Sequence, residues 1–125
     1  MNVKVNNMIK YLLCVLYVIF SVSGLTLVKM GSNQNISGNF MLPVIEMYIS
    51  KMTLTGLIFY GMSFCLYMGV ISKFDLGIII PILGGIVNIA ILGVSYFVLK
   101  EHLSLNMVIG AMIITIGIVI MNIKR

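Results

Sequence analysis

Hydroxyl, amide and small side chains recur at helical spacing in stretches of this sequence that carry no charge. Residues three, four or seven positions apart share one face of a helix, so these side chains would form polar stripes. Hydroxyls and amides donate and accept hydrogen bonds, which allows them to bind a hydroxylated ligand or to link two helices. The candidates for lining a polar cavity are, in chain order, Tyr17, Ser21, Gly24, Tyr60, Ser63, Tyr67, Pro81, Asn88 and Ser95.

Asn88 lies near the centre of its uncharged stretch. An unpaired amide in hydrocarbon costs several kcal/mol, so we expect this side chain to face a partner or a water-filled cavity. Pro81 removes a backbone hydrogen bond and frees a carbonyl near the same face. The alternative for every candidate is helix packing, in which small residues allow close approach and polar side chains bond across helices.

The sequence contains no recognisable set of catalytic or metal-binding residues. His102 is the single histidine, which excludes a histidine cluster, and Cys14 and Cys65 lie in uncharged stretches, where small packing residues are common. We find no nucleophile–base pair, metal-ligand set or phosphate-binding loop, so we expect no enzyme activity, metal or cofactor. The basic residues stand singly at the ends of the uncharged stretches, which is typical of membrane anchors rather than of nucleic-acid binding.

Membrane-spanning helices must position these residues. Of the 125 residues, 61% are hydrophobic and only 9% are charged, whereas soluble domains carry about a quarter charged residues. Four uncharged runs, at 11–28, 52–72, 76–99 and 103–123, are each near the length that crosses about 30 Å of hydrocarbon as a helix. The sequence predicts an all-α integral membrane protein: one domain over residues 1–125, with helices at about 9–29, 48–72, 76–99 and 103–123 and a long connection at 30–47.

The connections predict the arrangement of the helices. Residues 40–50 are apolar apart from Glu46, and they either lie along the membrane interface or extend the second helix outward from Pro43. Four spans place both termini on one side, which would carry more basic residues than the other side. The residues compared are Lys4, Lys10, Lys73, Lys124 and Arg125 against Lys29, Lys51 and Lys100. This bias predicts cytoplasmic termini in a multi-pass protein of the cell membrane.

The segment Ser-Val-Ser-Gly at residues 21–24 follows two lysines and an apolar run, as a leader-peptide cleavage site would. Apolar residues nevertheless continue to Lys29 and complete a span, and Ser21 and Gly24 share a stripe with Cys14 and Tyr17. We therefore expect the segment to be retained within the first helix.

The segment LKEHLSLNMVIGAMIITIGIVIM at residues 99–121 resembles the last hairpin of the drug/metabolite transporter superfamily. The positions that fit its pattern are Leu99, Glu101, Leu103, Ser104, Gly110, Ile114, Gly117 and Met121. The resemblance extends backward through residues 73–85 and, more faintly, to the GLTLVK stretch that ends at Lys29.

Two four-helix groups of that superfamily compete. Small multidrug and guanidinium exporters carry a glutamate eight residues before the first-helix lysine, where this chain has Ser21, and they favour a tryptophan that it lacks. The chain looks more like the EamA-like proteins and the aminoarabinose–undecaprenyl-phosphate flippase subunits. Those proteins share the Ser-Val-x-Gly stretch and a proline placed like Pro81.

The resemblance implies a small-multidrug-resistance-like bundle that forms a homodimer, or a heterodimer with another small four-helix protein. Gly110 and Gly117 would lie in the dimer contact, and the first three helices would line a cavity. The implied activity is that of a flippase or flippase subunit for a lipid-linked sugar or similar amphiphile, whose phosphate Lys10 or Lys29 could meet at the interface. Efflux of cationic drugs or guanidinium compounds is one alternative, and a non-transporting accessory subunit is another.

Overall fold

The computed structural model describes residues 2–33, 40–42 and 47–123, which form four helices and a short two-stranded ribbon. The elements are α1 (Asn2–Ser32), β1 (Phe40–Leu42), β2 (Met47–Ile49), α2 (Lys51–Ile71), α3 (Leu76–Phe97) and α4 (Leu105–Ile123). All four helices are long and apolar enough to cross a membrane. This confirms the four predicted helices and indicates a multi-pass membrane protein.

The first helix is longer than the sequence predicts. It begins at Asn2, well before the uncharged run, and it continues to Ser32 without a break at the Ser21–Gly24 stretch. Polar residues such as Lys4 extend a helix that its apolar part already stabilises, because adding a turn to an existing helix needs no new nucleus.

In the part of residues 40–50 that the structure describes, the chain does not extend the second helix, and the alternative that it lies along the membrane interface stays a prediction. Phe40 pairs with Ile49 and Leu42 with Met47 in an antiparallel ribbon. The predicted start of the second helix at residue 48 is therefore wrong, and α2 begins at Lys51. Ser50 explains the boundary: its backbone is extended, and its hydroxyl accepts a hydrogen bond from the Thr53 N–H at 3.1 Å, as an N-cap does. Pro43 and Glu46 lie outside the described residues.

The connection between α3 and α4 is also longer than predicted, because α3 ends at Phe97 and α4 begins only at Leu105. Lys100 has a φ of 52°, in the left-handed region, and this reverses the chain direction between the two helices. The reversal places Glu101 beside the end of α3.

The helices pack in the order α2, α1, α3, α4, with by far the most extensive contact between α1 and α2. The buried core consists of Val70, Ile79 and Leu83, against which Tyr17 and Phe74 pack. These residues meet at the end of the bundle where the turn from α2 to α3 brings both helices against α1. By contrast, α4 has no buried residue, so its contact with α3 leaves most of its surface uncovered in the single chain.

Candidate functional site

The polar stripes of α1 and α2 meet in one seam, where the two backbones come into contact. A methyl group added at Gly24 would lie 2.8 Å from the Tyr60 nitrogen and 2.9 Å from the Gly56 carbonyl oxygen. One added at Gly56 would lie 2.7 Å from the Val28 nitrogen. Only glycine fits at either position, so the two helix backbones touch here and leave no cavity between them.

The predicted cavity residues of α1 and α2 lie along this seam. Ser21 and Ser63 are each 2% exposed, and the Ser63 hydroxyl donates to the Tyr60 carbonyl at 2.7 Å. Tyr17 lies close to Ser21, one turn away on α1, and its ring centroid lies 5.3 Å from that of Tyr67 on α2. Every buried side-chain nitrogen or oxygen among the described residues has a partner. In the single chain these residues are therefore packed between two helices, and their assignment to a substrate cavity stays a prediction.

The far end of the seam contains residues that the sequence did not single out. Gly31 lies against Thr53, and the Ser50 hydroxyl is 3.1 Å from the Thr53 hydroxyl and 3.5 Å from the Gly31 carbonyl oxygen. The signal that could have revealed this contact is the spacing of seven between Gly24 and Gly31, which repeats one helix face. This buried polar cluster joins the end of α1 to the start of α2.

A different arrangement occurs between α1 and α3, where polar groups line an open cleft, which we call the Lys29 cleft. Its volume is about 260 Å³, and it is lined by Leu25, Thr26, Lys29, Ile91, Val94, Ser95, Leu99 and Glu101. The Lys29 ammonium lies 3.8 Å from the Glu101 carboxylate, and the Ser95 hydroxyl donates to the other carboxylate oxygen at 3.0 Å. The polar groups are thus concentrated at one end of a mainly apolar cleft.

Local structure explains why these three side chains meet. Lys29 is in the last turn of α1, where the helix dipole favours a cation. Ser95 is near the end of α3, and its carbonyl accepts a hydrogen bond from the Glu101 N–H at 3.0 Å. Side chains of Lys29 and Glu101 are 54% and 43% exposed, so a ligand can reach both. Glu101 was noted only as part of the family pattern and not as a site residue.

The other predicted phosphate-binding lysine lies at the opposite end of α1. The Lys10 ammonium is 5.7 Å from the centroid of the Phe74 ring, a cation–π contact. Phe74 also lines a second cleft between α1 and α3, which we call the Phe74 cleft. It measures about 420 Å³, and its walls are Tyr11, Cys14, Phe74, Asp75, Ile78, Ile79, Ile82, Leu83 and Ile86. The same pair of helices therefore has a cleft near each end.

Two further predicted groups lie on exposed surfaces. Asn88 is exposed, and its amide makes no hydrogen bond to another residue that the structure describes. At Gly110 and Gly117 an added methyl group would have no neighbour within 4 Å. The structure brings neither group into the seam or the Lys29 cleft, so the predicted roles of Asn88 and of the two glycines depend on something outside the single chain.

Metal and disulfide chemistry is not indicated in the part of the chain that the structure describes. There, no group of three or more histidine, cysteine, aspartate or glutamate side chains could hold a metal ion. Cys14 and Cys65 are unpaired thiols on different helices. The polar chemistry of the Lys29 cleft is therefore that of binding: an ammonium, a carboxylate and a hydroxyl beside an apolar wall.

Comparisons with family models, with curated proteins and with solved structures give no match for this chain.

Proposed function

We propose that this protein is a small membrane transporter that acts as a flippase, or as a flippase subunit, for a lipid-linked sugar or similar amphiphile. The observation that carries the proposal is the Lys29 cleft. An amphiphile needs polar partners for its headgroup and an apolar surface for its tail, and the cleft offers both within one helix pair.

The polar end of the cleft suits a headgroup that combines phosphate and hydroxyl groups. Lys29 would attract the phosphate as a point charge, while Glu101 and Ser95 would hydrogen-bond to sugar hydroxyls. The ion pair between Lys29 and Glu101 is weak because both side chains are largely exposed. A phosphate could therefore take the place of Glu101 beside Lys29 at small cost.

The Phe74 cleft supports access from both membrane faces. It lies between α1 and α3, as the Lys29 cleft does, but at the opposite end, where Lys10 contacts Phe74. A headgroup could thus be received next to a lysine on either side, while its tail stays in lipid. The walls of the Phe74 cleft are mainly isoleucine and leucine, which suits the apolar part of an amphiphile.

Reconstitution tests the proposal. The protein would be placed in liposomes that contain a fluorescent polyprenyl-phosphate-linked sugar, and a membrane-impermeant quencher would be added outside. We expect the protein to increase the fraction of fluorescence that is quenched above the level of empty liposomes, because probe from the inner leaflet becomes accessible.

Matched variants link the activity to the cleft. We expect Lys29→Met and Glu101→Gln to slow the exchange of the probe, and Lys51→Met, an exposed lysine at the same end outside the cleft, to leave it unchanged. Equal quenching with and without the protein would overturn the proposal. If Lys29→Met and Glu101→Gln exchange the probe as fast as Lys51→Met does, the assignment of the activity to the Lys29 cleft is wrong.

Export of cations is the second candidate, and Glu101 is the observation that favours it. Its carboxylate lies in a cleft, and a cationic substrate could displace Lys29 from it. Uptake of a labelled quaternary ammonium or guanidinium compound into the same liposomes under a pH gradient, abolished in Glu101→Gln, would favour this function over lipid transport.

A further inference from the structure

The Asn88 amide lies in the membrane-spanning part of α3 and has no hydrogen-bond partner among the residues that the structure describes. Asn88 is near the midpoint of α3, whose span is Leu76–Phe97, and its side chain is exposed on the surface of the single chain. No described residue accepts a hydrogen bond from its amide or donates one to it. In hydrocarbon, which offers no hydrogen bonds, such a group carries a large free-energy cost.

The surface around Asn88 is open and made of small residues. Gly77, Pro81, Gly84 and Asn88 follow one another at steps of four, three and four, so they share one face of α3. Added methyl groups at Gly77 and Gly84 would have no neighbour within 4 Å. Ile79 and Leu83, which are buried in the core, lie on the other side of the helix. We call the surface formed by Gly77, Pro81, Gly84 and Asn88 the Asn88 face.

We propose that the Asn88 face is the contact with a second copy of this chain, and that the two Asn88 amides hydrogen-bond to each other across a two-fold axis. A carboxamide carries both a donor and an acceptor, so two copies of one residue satisfy each other. The glycines permit the close approach of the two helices that such a bond requires.

The position of Asn88 favours a second copy as the occupant. In a symmetric pair of α3 helices, a residue near mid-span meets its own copy whether the two chains are parallel or antiparallel. Lipid tails cannot fill this role because they have no hydrogen-bonding groups. The self-complementary chemistry of the amide thus fits an identical chain.

The outer surface of α4 has no unpaired polar side chain near the middle of the helix. Two of its polar side chains are satisfied within their own helix: Thr115 donates to the Ala111 carbonyl and Asn122 to the Ile118 carbonyl, each at 2.9 Å. Asn106, one turn before Gly110, lies in the first turn of α4, at the helix end, where water can hydrogen-bond to it. Lipid can cover the remaining apolar surface around Gly110 and Gly117. The position of the unpaired amide near mid-span therefore distinguishes the Asn88 face from the α4 contact that the family resemblance implies.

Cysteine cross-linking in native membranes tests which face is used, independently of any transport activity. In a chain whose Cys14 and Cys65 are replaced by alanine, we expect Asn88→Cys, which loses the amide but keeps the glycines of the Asn88 face, to accumulate disulfide-linked dimers on prolonged oxidation. We expect Gly117→Cys on α4, which keeps Asn88, to form few. A cysteine at Gly77 then reports orientation, because it links to its own copy only if the two chains are parallel.

Association measured by energy transfer between labelled chains in liposomes tests the hydrogen bond itself. We expect Asn88→Leu to weaken association roughly five- to thirty-fold, which corresponds to one interhelical polar contact in model peptides. Asn88→Gln should retain most of the association. Asn122→Leu, which removes an amide already bonded within its own helix, should leave it unchanged.

Two results would overturn the proposal. One is unchanged association in Asn88→Leu, with helix content confirmed by circular dichroism. The other is efficient cross-linking at Gly117→Cys together with none at Asn88→Cys. Both experiments measure contact between chains, so a failure of the proposed transport function would leave their outcome unaffected.

Discussion

Gly24 of α1 and Gly56 of α2 face each other so closely that each lacks room for a side chain. A methyl group built on Gly24 would lie 2.9 Å from the Gly56 carbonyl oxygen, and one built on Gly56 would lie 2.8 Å from the Gly24 carbonyl oxygen. Backbone contact of this kind is how small residues stabilise helix pairs in membranes, where lipid tails remove the hydrophobic driving force between helices. The α1–α2 pair is therefore the most closely packed part of the bundle.

Alanine at Gly24 or Gly56 should destabilise the protein. The added methyl group meets backbone atoms that cannot move independently, so we expect a loss of about 1–3 kcal/mol in the free energy of unfolding. Denaturant titration in mixed micelles, followed by circular dichroism, measures this loss. Gly61→Ala is the matched control on α2, because a methyl group there has no neighbour within 4 Å. An equal loss in the control would contradict the prediction.

Removing the Ser50 hydroxyl that caps α2 should lower the free energy of unfolding more than removing the Ser104 hydroxyl at the start of α4. Ser50 is 7% exposed, and its hydroxyl accepts from the Thr53 N–H at 3.1 Å. We expect Ser50→Ala to cost about 1–2 kcal/mol of unfolding free energy. Ser104 accepts from the Met107 N–H at 3.3 Å but is exposed, so water can replace its hydroxyl. Ser104→Ala should cost clearly less in the same titration, and a reversed order would contradict this account.

The ion pair of the Lys29 cleft should contribute little to stability. Lys29 and Glu101 are 54% and 43% exposed, so solvent screens their attraction. A double-mutant cycle with Lys29→Met and Glu101→Gln should give a coupling below about 1 kcal/mol, and added salt should reduce it further. A salt-independent coupling well above that value would show that the pair holds the bundle together rather than leaving the cleft free to bind.

The excess of basic residues at one end predicts that the chain termini are cytoplasmic. Lys73 lies in the turn between α2 and α3, on the same side as the termini, and His102 lies on the opposite side. In cells that express a variant without Cys14 and Cys65, we expect a membrane-impermeant maleimide to label His102→Cys from outside. Lys73→Cys should react only after permeabilisation. The opposite labelling pattern would place the termini outside.

The sequence by itself determined the four helices, because long uncharged runs must satisfy their backbone groups internally in a membrane. It also located the polar stripes, since the spacing of Ser21 and Gly24 depends only on helix geometry. It did not determine the start of α2. The apolar run before residue 51 fits a strand as well as a helix, and hydrogen bonds between β1 and β2 decided between them.

Which stripes meet was decided only by the tertiary structure. Ser21 and Ser63 are buried because α1 and α2 approach at Gly24 and Gly56, whereas the side chain of Asn88, which is also polar, stays exposed. Lys29 and Glu101 lie far apart in sequence, and they meet because the connection after α3 turns back, so that the Glu101 N–H bonds to the Ser95 carbonyl. Helix periodicity fixes the face on which a residue lies, but the contact between two faces depends on the packing of whole helices, which no local pattern encodes.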